Sequence, residues 1–158
     1  MKFFTLLLVV CILAVATPVA LAGPTFEVGA LVSDGKKSKE TKSILDFGDT
    51  SFKVTAKGKG GLIKEFNYAD ITSADYSYSK KPLLSTGGAV AMAILTGLIV
   101  VPFLFAKKKE HWLSLRTAND YIVVRLDKDN YMQIRNEFEV HKVKVSTVDE
   151  DTKKEKEK

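Results

Sequence analysis

Apolar positions along this chain follow two different patterns. Residues 3–22 and 83–106 are apolar almost without interruption, whereas elsewhere apolar and polar residues tend to alternate. Alternation at a period of two is the mark of a strand with one buried face. Phe26, Val28, Ala30 and Val32 alternate over 25–33, and Phe52, Val54 and Ala56 over 51–56. Further strands are predicted at 42–47, 62–68, 71–79, 111–117 (Leu113 and Leu115 on one face) and 121–126. Turn chemistry separates them at Ser33-Asp34-Gly35, Gly48-Asp49, Gly58 to Gly61 and Ala118-Asn119-Asp120. Beyond the last strand, Asp127 or Asp129 is placed to cap a helix carrying Tyr131, Ile134 and Phe138 on one face. The mixed-charge residues 149–158 read as a solvated tail.

The first apolar block has the form of a secretory signal. Lys2 gives a positive head, Phe3 to Ala16 carry no charge, and Ala20-Leu21-Ala22 supplies small residues before Gly23. Cleavage after Ala22 is expected, with an uncleaved anchor as the alternative. It would remove Cys11, the chain's one cysteine, leaving a domain held by packing rather than disulfides.

The second block, Leu83 to Ala106, is bracketed by Lys80-Lys81 and Lys107-Lys108-Lys109. As one helix its 24 residues would measure about 36 Å against a hydrocarbon core of about 30 Å. Membrane insertion is therefore expected, as a transmembrane or re-entrant helical insert. Ser85, Ala89, Ala93 and Gly97 recur at intervals of four, and such a face suits close helix packing; the abundance of small residues in membrane helices accounts for it equally well. Two foldings fit the block. A single type I crossing leaves 107–158 in the cytoplasm, in line with the lysine triplet. A helical hairpin turning near Gly97 keeps both ends on one side, letting 23–82 and 107–148 form one discontinuous domain. The hairpin is the expectation, because it lets the strands on either side of the block pair.

Seven short strands followed by one helix resemble the element order of the pleckstrin-homology superfold. More specifically, Lys107 to Leu115 followed by Tyr121 to Tyr131 is similar to a group of uncharacterised bacterial envelope proteins. In that group a pleckstrin-homology- or GRAM-like domain carries a glycine-rich apolar insert. The resemblance implies an α+β, mainly β fold: a bent sheet or partial barrel of about seven strands with a C-terminal helix, interrupted by a membrane-embedded insert. It implies a bacterial envelope location and no particular activity.

With 158 residues, 24 Lys+Arg and 19 Asp+Glu, the chain suits one domain with attached segments. Acids interleave with the bases and form no basic stripe, which argues against nucleic acid. Lys36, Lys37, Lys39 and Lys42 crowd the first loop, where pleckstrin-homology domains often grip phosphorylated headgroups. Asp34 and Glu40 share that loop, so a solvated surface competes with lipid contact. Gly58-Lys-Gly-Gly lacks the spacing of a phosphate loop, and Asp127-Lys-Asp-Asn lacks the later ligands of a calcium loop. His111 and His141 are too few for zinc. Nothing recognisable pairs with Asp70 or Asp75, so no catalytic residue, metal, cofactor or small-molecule substrate is assigned. Trp112, with Lys80, Lys81, Lys107, Lys108 and Lys109, is expected to anchor the chain at the membrane interface, with a plain core position as the alternative for Trp112. The sequence thus points to a non-enzymatic, membrane-held binding module contacting membrane lipid or an envelope protein. The alternative is a structural subunit of a membrane protein complex.

Overall fold

The computed structural model describes residues 23–33, 38–58, 60–80, 82–83 and 108–149. The expected signal at 1–22, the block 83–106 beyond Leu83, and its face of Ser85, Ala89, Ala93 and Gly97 lie outside the described residues. Among those described, no helix is long and apolar enough to cross a membrane. What they form is mainly β: one eight-stranded sheet and one α-helix.

The predicted alternation places most of the strands. They are β1 (Thr25–Ser33), β2 (Ser38–Phe47), β3 (Ser51–Ala56), β4 (Leu62–Asn67), β5 (Ile71–Ser79), β6 (Glu110–Thr117) and β7 (Tyr121–Leu126). The helix α1 (Tyr131–Val140) follows, and then β8 (Val145–Thr147). Their order across the sheet is β4-β3-β2-β1-β7-β6-β5-β8, so two antiparallel meanders join where β1 pairs with β7. Four strand spacings separate β4 from β7, about 19 Å in a flat sheet. Lys64 of β4 nevertheless ion-pairs with Asp120 in the β6–β7 turn and lies over the Tyr121 ring. The sheet is therefore strongly curled.

The curl makes a concave face that α1 fills. Phe47, Phe52, Phe138, Ile134, Leu113 and Val124 are fully buried there. Phe138 meets Phe47 and Phe52 edge-on, with ring centroids 5.0 and 5.2 Å apart. Edge-to-face pairs add to the gain from area burial. At the far end of α1, His141 stacks on Tyr68 at 4.0 Å.

Three elements differ from the sequence reading. β2 begins at Ser38, earlier than the predicted 42, because its polar first residues pair with Ser33 to Leu31 of β1. The helix begins at Tyr131 and neither Asp127 nor Asp129 caps it. Asp127 instead closes a turn in which its carbonyl accepts the N–H groups of Asn130 and Tyr131. The Asn130 side chain returns to the Asp127 N–H and to the Glu27 carbonyl. β8 was not predicted; it pairs in parallel with β5, Val145 beside Ala74.

The helix ends in a six-to-one hydrogen bond from Val143 N–H to the Phe138 carbonyl, with Lys142 bonded back to Glu139. Lys142 has φ 63°, a left-handed conformation that glycine adopts without strain. Lys142→Gly is therefore expected to raise stability by about 1 kcal/mol, read as a higher midpoint of urea unfolding.

Candidate functional site

β5 and β6 stay paired to their ends. The register runs from Ile71 beside Thr117 to Ser79 beside Glu110. The segment between Ser79 and Glu110 therefore leaves and re-enters at neighbouring positions on one end of the sheet, a neck. Alternation along both strands gives the neck two dissimilar faces.

On the helix side, Tyr76 and His111 meet the first turns of α1, and Tyr78 adjoins His111. His111 stacks on Tyr131 at 4.0 Å and lies 4.7 Å from the Tyr78 ring. Tyr76 Oη is 2.6 Å from His111 Nδ1, and the Arg135 guanidinium sits 4.5 Å above the Tyr76 ring. A neutral imidazole with its proton on Nε2 accepts the Tyr76 hydroxyl hydrogen at Nδ1. Burial lowers the His111 pKa, partly countered by the carboxylates of Glu110 and Asp127. Burial, followed by the neighbouring Tyr131, also holds the Tyr76 hydroxyl protonated to higher pH than usual.

This site carries its own pH dependence. His111 binds its proton more weakly folded than unfolded, so the unfolded chain takes up more protons on acidification. Stability is then full above the unfolded value of about 6.5 and declines as pH falls through it. Urea unfolding followed by circular dichroism is expected to show a midpoint that drops between pH 7.5 and 5. His111→Phe, which keeps the stacking but cannot titrate, is expected to flatten that drop.

The other side of the neck holds Ser77, Ser79, Trp112 and Ser114, all buried, with Asp75. The Trp112 indole N–H donates to the Ser79 carbonyl at 3.1 Å, and the Leu83 N–H donates to Ser77 Oγ. Trp112 is 3% exposed. Its register opposite Ser77 and Arg125 places it on the face of β6 away from α1.

Lys80, Lys108 and Lys109 are exposed at the neck, while Lys81 and Lys107 lie outside the described residues. Of the first-loop lysines, Lys36 and Lys37 also lie outside them. Lys39 and Lys42 are exposed on β2, but an odd and an even position on one strand point to opposite faces. Between them Glu40 crosses Gly29, where its carboxylate leaves no room for a Cβ, and binds Arg125 of β7 at 2.6 and 2.8 Å. The two described lysines point away from each other, and Glu40, one of the loop's two acids, is already engaged.

Among the described residues, no group of three or more His, Cys, Asp or Glu side chains is placed to hold a metal ion. Sequence reasoning weighed His111 only as a metal ligand and missed the ring cluster. The signal was present in the i, i+2 spacing of Tyr76 and Tyr78 and in Tyr131 at the helix start. The chain matches no protein-family model, and no curated protein matches it.

Proposed function

We propose that this chain is a non-enzymatic binding module of pleckstrin-homology-like architecture, tethered to a membrane by residues 83–106 as a helical hairpin. The observation that carries this reading is the β5–β6 register, continuous from Ser73 beside Arg116 to Ser79 beside Glu110. Strands parted by a bilayer could not share a ladder, so an uncharged block between them returns to the side it left. A four-strand meander, a three-strand meander and a helix seated in the curl support the architecture.

The same register favours an envelope protein over headgroups of the tethering membrane as the contact for the first loop. Val28 lies beside Leu126 and Leu31 beside Val123, so β1 runs away from the neck toward its hairpin with β2. Leu126 is in turn the partner of His111. Six residues of β6 lie between Glu110 and Thr117, about 23 Å of strand. Lys39, beside Val32, lies toward that hairpin, whereas Lys42, beside Gly29 and through Arg125 in the row of Trp112, lies near the neck, so a domain seated on its neck presents Lys39 to water.

The test is topological. In a Cys11→Ser background, single cysteines at Ser51 and Ser146 are expected to react with an impermeant reagent from the same side of sealed membranes, in a chain that resists carbonate extraction. Modification from opposite sides, or release by carbonate, would end this reading.

A further inference from the structure

The neck has one corner where large apolar groups face outward. Tyr78 and Met132 are 53% and 56% exposed; Tyr78 adjoins the His111 ring, which stacks on Tyr131, and Met132 follows Tyr131 in the chain. Lys80 follows Tyr78 by two residues, and Lys108 and Lys109 precede the strand that pairs with it. Lys128 stands in the turn after Leu126, the strand partner of His111. Among the described residues none of these four lysines is in an ion pair. The nearby acids are partly engaged: Glu110 lies 3.7 Å from Arg125, and Asp127 Oδ1 accepts the Asp129 N–H. Asp127 and Asp129 are exposed in the turn before α1, and the exposed Asp149 lies close enough to act on the Tyr76 hydroxyl, so the four lysines outnumber these three acids by one.

We propose that this corner, Tyr78 and Met132 ringed by Lys80, Lys108, Lys109 and Lys128, rests on the surface of an anionic phospholipid bilayer. Amphipathic rings and a flexible thioether suit the headgroup boundary, where apolar atoms are shielded and polar tips stay wet. Ammonium groups beside them are attracted by lipid phosphates. Position supplies the further argument. The chain runs from Tyr78 to Leu83 and then into the uncharged block, so the corner is the part of the domain nearest to where that block begins. The inference rests on the tether proposed above and adds to it an orientation: the N-terminal end of α1 faces lipid, and Trp112, taken from sequence as the anchor, gives way to Tyr78.

The full chain carrying Cys11→Ser and Met132→Cys, labelled with an environment-sensitive dye, is reconstituted into vesicles of phosphatidylcholine with or without phosphatidylglycerol. A Leu62→Cys label, on an exposed β4 position, is the reference. In anionic vesicles the label at 132 is expected to be several-fold less quenched by iodide than the label at 62. That protection is expected to vanish in pure phosphatidylcholine and in the variant Lys80→Gln, Lys108→Gln, Lys128→Gln. Equal quenching at 132 and 62 in a carbonate-resistant chain overturns the orientation while leaving the tether intact. Protection that persists without lipid charge overturns the anionic recognition. A chain released by carbonate overturns tether and corner together.

Discussion

Phe138→Ala is expected to lower the stability of the fold by about 3–5 kcal/mol. The ring is fully buried and stands edge-on to both Phe47 of β2 and Phe52 of β3. Truncation would open a void between the helix and the concave face of the sheet. The curled strands around it are tied by ladders and cannot collapse inward to fill it, so the cavity contribution adds to the lost transfer energy. Met132→Ala, on an exposed position of the same helix, is the control, with an expected change within about 0.5 kcal/mol. Urea unfolding by far-ultraviolet circular dichroism reads both. Similar losses at the two positions would mean that α1 does not seat in the sheet as described.

Trp112→Ala is expected to cost about as much, roughly 3–5 kcal/mol. This ring lies on the face of the neck away from α1, and its N–H satisfies the Ser79 carbonyl. Trp112→Phe keeps most of the volume and removes the donor, so about 1 kcal/mol is expected from the missing hydrogen bond. The pair of variants separates two roles. An exposed interfacial ring would lose little on truncation, whereas a packed one loses several times more with alanine than with phenylalanine. Because Trp112 is the single tryptophan, circular dichroism must follow unfolding in both variants.

Much of the sheet was legible because alternation is a local property. Phe52 and Val54 on β3, or Leu113 and Leu115 on β6, announce an inward face without knowledge of the partner strand. Elements that depend on a distant partner were not legible. β8 is three residues long, too short for any period, and exists through its parallel pairing with β5. The first residues of β2 are polar and join the ladder because β1 continues beside them. The ring cluster depends on the register that sets Tyr78 opposite His111, across a segment of more than thirty residues. For the first-loop lysines the sequence displayed charge density but not direction, and the pleat of β2 sends Lys39 and Lys42 apart.

The parallel partner of β5 has a mechanical meaning. β5 lies between β6 and β8, and β6 lies between β5 and β7. A pull on the neck along the strand direction would slide β5 past β8 and β6 past β7, so every rung of each ladder would bear load at once. A sideways force would peel the rungs one after another, starting with Ser79 and Glu110. The domain is thus stiff toward tension along its strands and compliant toward spreading, a directional grip built from the β5–β8 and β6–β7 ladders together.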